Sequence, residues 1–220
     1  MIGSEGGQHL HPSHISPSLL PAAHSPQPTA AYQGEPGAYS EAAARALVPD
    51  HATRGFRTFA DVFDALEIGE ADVAVVPVEN SAFGPIVPVV EALEVRAVRV
   101  VQEAWRPIRH ALLALPGTRI ESVREVRSHV QALGQCRATL ARIVPGAAVV
   151  EAHDTAGAAR VIAEGQLVGV AAVASAHAAE AYGLAVLADG IEDEANNRTR
   201  FLVVVRADPA GAESLGGRAS

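Results

Sequence analysis

Short apolar runs of strand length recur along this chain, each followed by a polar loop and then by a segment with helical spacing. That alternation limits the fold more than any other feature. Thr29–Gln33, Thr53–Phe56, Ala71–Val78, Val95–Glu103, His110–Leu115, Ala147–Glu151, Leu167–Ala171, Ala185–Leu187 and Arg200–Val205 read as strands. Helices are expected over Glu41–Val48, Thr58–Ile68, Pro85–Leu93, Ser122–Val126, a stretch from Ser128 to about Ile143, Asp154–Glu164 and Ser175–Tyr182. Phe59, Val62, Phe63 and Leu66 carry the helical period of the second of these, and Thr58 with Asp61 marks its start. Pro85 suits a first helical turn, whereas Pro88 is expected to distort that helix. Near-continuous apolar strands alternating with helices imply an α/β architecture with mostly parallel sheets covered on both faces.

Hydrophobic residues make up 49% and aromatics only 4%, so the core must be built from Ala, Val, Leu and Ile. The net charge of -8 argues against a nucleic-acid or anionic-membrane surface. All 17 basic residues are Arg, which removes Schiff-base chemistry and the Lys of a P-loop. One cysteine, Cys136, excludes an internal disulfide and a Cys-rich zinc site. No apolar run is long enough to span a bilayer. Residues 1–28 are Pro-, Ser-, His- and Gly-rich, lack basic residues and read as a disordered tail and a poor signal peptide. A cytoplasmic location is the expectation. His9, His11, His14 and His24 in that tail offer at most weak metal binding. Residues 207–220 read as a second polar tail.

Ligands of α/β proteins bind beyond the carboxyl ends of strands, and here the loops after strands carry the unusual polar clusters. Gly34–Ser40 brings glycines and a hydroxyl, and Glu79-Asn80-Ser81 a carboxylate, an amide and a hydroxyl. Ser128-His129 opens a helix with Gln135 two turns on, and Asp154-Thr155 opens another. Each helix start offers free N–H groups to an anion. Ser40, Asp154 and Thr155 taken singly read first as caps. In Gly190–Arg206 an acidic, amide-rich loop turns into a β-branched run, with Thr199 and Arg200 at the switch. A hydroxyl and a guanidinium there can donate to an anion; an ordinary loop-to-strand junction is the alternative.

Taken together these segments resemble the prephenate dehydratase family over about residues 30–206. The matching motifs are Tyr32-Gln-Gly-Glu-Pro-Gly-Ala-Tyr-Ser40, Val76-Pro-Val-Glu-Asn-Ser-Ala-Phe-Gly84, Ser128-His-Val-Gln-Ala-Leu-Gly-Gln-Cys136, Asp154-Thr-Ala-Gly-Ala-Ala159 and Asn197-Arg-Thr-Arg-Phe-Leu202. His110–Gly117 and Tyr32–Ala44 are also similar to plant arogenate dehydratases. Val130 replaces the family's usual Pro, and His153 stands where a carboxylate is common.

The resemblance implies two α/β lobes of the type II periplasmic-binding-protein kind with the active site in the cleft. A catalytic domain over 29–206 would place one lobe at about 29–104 plus 198–206 and the other at about 108–188. The implied reaction converts prephenate to phenylpyruvate, carbon dioxide and water; arogenate is the alternative substrate, and a non-catalytic small-anion binder the alternative class. Ring aromatisation drives the reaction, so no cofactor and no metal are expected. Thr199 would donate to the departing oxygen, with Glu79 as the proton source if burial raises its pKa. Asn80, Ser81, Ser128, Gln135, Thr155, Phe201, Tyr39 and Ser40 would hold the substrate, and Arg200 would either pair with a substrate carboxylate or serve the strand. The resemblance allows a homodimer. It stops short of the phenylalanine-binding ACT domain that most relatives carry, so insensitivity to phenylalanine is expected.

Overall fold

A computed structural model describes residues 27–207. The first lobe is built from β1 (Thr29–Gln33), α1 (Tyr39–Leu47), β2 (Ala52–Phe56), α2 (Phe59–Glu67), β3 (Val73–Asn80), β4 (Gly84–Pro85), α3 (Val87–Val95) and β5 (Val98–Pro107). The second holds β6 (Ala111–Ala114), β7 (Glu125–Ser128), α4 (Val130–Gln135), α5 (Arg137–Ile143), β8 (Ala148–Glu151), α6 (Thr155–Glu164), β9 (Val170–Ala174), α7 (Ala176–Tyr182) and β10 (Ala185–Asp189). The last strand, β11 (Arg198–Arg206), returns to the first lobe. The sheets run β2-β1-β3-β11-β5, with β4 on β3, and β10-β6-β9-β7-β8. The tails predicted over 1–28 and 207–220, including the four N-terminal histidines, lie almost wholly outside the described residues.

The sheets are mixed rather than mostly parallel. Among the described residues only the β1–β2, β1–β3, β7–β8 and β7–β9 pairings are parallel. The reason is the double crossing. β11 comes back from the second lobe and inserts between β3 and β5, antiparallel to both. β6 likewise enters the second sheet against β9 and is flanked by antiparallel β10.

Low aromatic content is accommodated by close helix–sheet approach. Ala43 and Ala44 of α1 pack with Ala30, Val75, Phe201 and Val203 on one face of the first sheet, while Val62, Phe63 and Leu66 of α2 cover Val76, Leu202 and Val204 on the other. Ala158, Ala159 and Ile162 of α6 and Ala178 of α7 do the same on Ala172 and Ala174. The predicted capping box closes α2: the Asp61 N–H donates to Thr58 and the Thr58 N–H to the Asp61 carboxylate. Asp154 caps α6 through the Gly157 N–H and Ser175 caps α7.

Several segments differ from the sequence expectation. Pro85 lies in β4, and Pro88 stands in the first turn of α3, where its missing N–H has no partner to lose, so the helix is undistorted. β5 runs on past the expected end at Glu103, and Trp105, Arg106 and Pro107 pair with Arg200, Thr199 and Arg198. The helix expected over Ser122–Val126 is a single 3₁₀ turn, Ile120–Ser122, followed by β7. The helix expected to run on to Ile143 breaks at Cys136, and β9 lies three residues beyond the predicted strand.

The lobes meet at the Gly34–Ser40 turn. The Ser175 hydroxyl donates to the Gly37 carbonyl at 2.6 Å. A Cβ on Gly37 would lie 2.5 Å from the Ala178 Cα, so this approach needs glycine. No helix among the described residues is long and apolar enough to cross a membrane.

Candidate active site

Between the lobes lies a cleft of about 560 Å³ whose floor is the meeting of β3 and β11. Thr199 and Phe201, two residues apart on β11, point into it, and both are buried. Thr199 and Arg200 are thus inside the strand, not at its mouth; the loop-to-strand switch falls at Arg198.

The neighbouring strand carries a β-bulge. Thr199 pairs with Asn80 and Arg200 with Glu79, but Phe201 pairs with Pro77, which leaves Val78 as the extra residue. Simple alternation from Pro77 would aim Glu79 into the cleft. The bulge aims Asn80 there instead and sends Glu79 to the other face with Arg200. On that face the Arg200 guanidinium donates to Glu79 at 2.9 Å and to Glu103 at 3.3 Å and lies over the Trp105 ring. Glu79 and Arg200 therefore do not line the cleft: Glu79 is not placed as the proton source, which corrects that expectation, and Arg200 serves the strand, the second of its two expected roles.

Asn80 is held from both ends of its amide. Its Oδ1 accepts the Ala82 and Phe83 N–H groups at 2.9 and 3.2 Å, and its Nδ2 donates to Asn197 Oδ1 at 2.8 Å and to Thr199 Oγ1 at 2.9 Å. Thr199 Oγ1 thus accepts from Asn80. Its own O–H finds no acceptor among the described residues and is free for a ligand.

From the second lobe, Gln135 at the end of α4 and Thr155 at the start of α6 reach the cleft, and Tyr39 and Ser40 of α1 close it from the first. Ser81 lines an adjoining recess of about 770 Å³ instead, where its hydroxyl accepts the Arg198 N–H and donates to the Asn196 carbonyl. Ser128 is fully buried and donates to the Val173 carbonyl, so it ties β7 to β9 and does not line the cleft. His129, not Ser128, caps α4.

Sequence reasoning missed His110, which had been read only as the start of an apolar run. It is buried, with Tyr39 Oη 2.6 Å from its Nδ1 and Gln135 Oε1 2.6 Å from its Nε2. Burial lowers its pKa, against smaller opposing effects of Gln135 and Glu192, and burial raises that of Tyr39, so both stay neutral. Cys136 is pushed up to about 12 by burial, which keeps it an inert thiol. Asn197, His129, Gln131 and His153 also line the cleft. Among the described residues no Arg lines it; Arg57, Arg127 and Arg160, alongside Glu35 and Glu151, border a further recess of about 700 Å³ that shares Gln33, His153 and Asp154 with it. Among the described residues no group of three or more His, Cys, Asp or Glu could hold a metal ion. What the arrangement can do is donate hydrogen bonds in a largely uncharged, half-enclosed site, at a start of helix α1 that carries no side-chain cap.

Comparison with known proteins agrees in kind. A family model described as prephenate dehydratase matches residues 30–209. Arogenate dehydratase 5 of Arabidopsis thaliana, a chloroplastic protein, is 45% identical over 95% of this chain and 50% of its own length. The crystal structure of prephenate dehydratase from Arthrobacter aurescens in complex with L-Phe is 29% identical, with a TM-score of 0.75 over 87% of this chain and 63% of that one. A solved structure described as GqqA, a novel type of quorum quenching acylase, is 35% identical, with a TM-score of 0.74 over 82% of this chain and 64% of that one. The chain spans about half the length of the curated relatives it matches. On these grounds the chain belongs to the prephenate dehydratase family.

Proposed function

We propose that the chain catalyses the decarboxylative dehydration of prephenate to phenylpyruvate, the carbon skeleton of phenylalanine. The observation that carries this reading is Thr199: a buried hydroxyl whose oxygen is held by Asn80 at 2.9 Å and whose hydrogen is left for a ligand in the cleft. In the reaction the bond from the ring to its carboxylate breaks and releases carbon dioxide. That electron pair moves into the ring, the carbon–oxygen bond to the ring hydroxyl breaks, and the departing hydroxide takes up one proton to leave as water.

Charge develops on that oxygen, and a fixed O–H donor aimed at it lowers the barrier without reorganisation. A threonine hydroxyl is far too weak an acid to be the net proton source, so it acts as donor and relay, with the proton drawn ultimately from solvent. Gln135, Thr155 and the start of α1 orient the substrate. The test is direct: purified chain is mixed with prephenate and phenylpyruvate is measured. Absence of phenylpyruvate at high enzyme concentration would sink the proposal.

Arogenate is a second reading, supported by the 44–47% identity to plant proteins named arogenate dehydratase, while others at 41–47% are named for both substrates. Assay of both substrates side by side, comparing kcat/KM, decides between them.

A further inference from the structure

The side chains between Thr199 and the lobe interface form one unbroken hydrogen-bonded chain, and its polarity is fixed from one end. Asn80 Oδ1 accepts the main-chain N–H groups of Ala82 and Phe83, which cannot turn round. Asn80 must therefore present its NH₂ to Asn197 Oδ1. Asn197 then presents its NH₂ to Gln135 Oε1 at 3.2 Å. The second neighbour of that same oxygen is His110 Nε2, at 2.6 Å, and an oxygen accepting there requires Nε2 to carry the hydrogen. Reversing any one amide would set donor against donor at the next link, in a part-buried site where an unmade bond costs stability. On the far side Tyr39 Oη has one hydrogen and two acceptors in reach, the Arg109 carbonyl at 2.9 Å and His110 Nδ1 at 2.6 Å, and a bare Nδ1 draws that hydrogen to the shorter contact.

We propose that His110 is a positioning residue for the reaction: as the Nε2–H tautomer it holds, together with Asn197, the oxygen of the Gln135 amide, so that the Gln135 NH₂ group is the end presented to the cleft. This rests on the dehydratase reading of the same site. The Gln135 NH₂ and the Thr199 O–H are then two donors of one network, oriented by the same Asx turn at Asn80. The network also crosses the lobes. Tyr39 sits on α1 of the first lobe, while His110 and Gln135 belong to the second. The two lobes are thereby registered to the atoms that face substrate, and a shift of one against the other is felt at Gln135 as a lost or lengthened bond. His110 borders the cleft but is almost wholly buried, and it acts through Gln135.

Two measurements test this on the full chain. In ¹⁵N-histidine-labelled protein at about pH 7.5, long-range ¹H–¹⁵N correlations should show His110 protonated at Nε2 and bare at Nδ1, the signal being assigned by its loss in His110→Gln. A proton on Nδ1 instead would overturn the proposal. In the activity arm, the Gln side chain places an N–H near the Nε2 position, so His110→Gln should keep kcat within about fivefold of the parent, whereas the shorter His110→Asn should lower it by about 30-fold or more with KM little changed. Equal losses in the two variants, or losses that follow a fall in Tm, would reduce His110 to a structural role and refute the positioning one. Failure of the dehydratase reading is seen separately, as a parent chain that makes no phenylpyruvate. The tautomer measurement then decides the geometry on its own.

Discussion

Glu79 and Arg200 face each other across β3 and β11 at 2.9 Å, on the side of the sheet turned away from Thr199. Both side chains keep about a third of their surface in solvent, so the pair is screened and stabilises the fold by no more than about 1 kcal/mol. Glu79→Gln should therefore lower kcat by less than about tenfold and change unfolding free energy only slightly. A loss as large as that from removing the Thr199 hydroxyl would show that Glu79 reaches the reacting atoms after all.

Thr199→Val keeps the shape of the side chain and removes its hydroxyl. It should reduce kcat by at least about 100-fold, while Thr199→Ser, which keeps the oxygen that Asn80 holds, stays within about tenfold of the parent. Far-UV and near-UV circular dichroism of both variants should overlay the parent spectra. Undiminished turnover in Thr199→Val would remove this residue from the mechanism.

Asn80→Asp separates the two halves of that amide. The carboxylate can still accept the Ala82 and Phe83 N–H groups and keep the turn, but the bonds to Asn197 and Thr199 are lost, so stability should fall by about 1–3 kcal/mol. It can donate to neither Thr199 nor Asn197, and a negative charge would meet an oxygen that must itself become a donor to a departing hydroxide. A fall in kcat of about 100-fold or more is expected, read in steady-state turnover of prephenate. Activity near the parent's would mean that Asn80 serves only its turn.

The motifs that gather in the cleft were legible in the sequence because each is local: a strand end, a turn or a helix start. What escaped depends on register or on distance. The extra residue at Val78 reverses which of Glu79 and Asn80 enters the cleft, and a bulge leaves no mark on the pattern of residue types. β7 was read as helix because only four residues form it, and its fully buried Ser128 is polar. His110 was invisible because its partners Tyr39 and Gln135 lie 71 and 25 residues away in the chain. The sheets were called mostly parallel because local alternation does not reveal that β11 returns across the lobes to run against β3.

Acid should lower the stability of the fold over two pH ranges. Burial lowers the pKa of His110, so the folded state prefers the neutral ring. Its contribution is complete above the ordinary histidine value of about 6.5 and is lost as pH falls below it. For Glu41, burial alone would raise the pKa, but the Gly37 N–H, Arg45 and Thr53 outweigh it and the net shift is downward. Its contribution is present above the ordinary glutamate value of about 4.3 and is lost as pH falls through the lower, folded value, a window that Asp193 shares. Urea midpoints across this range should show His110→Phe flattening the upper step and Glu41→Gln reducing only the lower. A pH-independent midpoint between 6.5 and 4.3 in the parent would refute the His110 assignment.

Gly37 adopts φ +83°, a left-handed conformation that costs a side chain about 1–2 kcal/mol, and the Cβ of an alanine there would meet the Ala178 Cα at 2.5 Å. Both terms oppose Gly37→Ala. The turn also carries the Ser175 bond across the lobes and the Gly37 N–H that holds Glu41 at 2.6 Å, so it cannot simply move aside. A loss of at least about 2 kcal/mol in unfolding free energy is expected from urea denaturation. The nature of the clash makes a sharper test. Its closest atom is backbone, so adding Ala178→Gly to Gly37→Ala should restore little, and the glycine in α7 carries its own cost of about 1 kcal/mol. Full recovery in the double variant would place the strain in the Ala178 methyl group rather than in the approach of the two main chains.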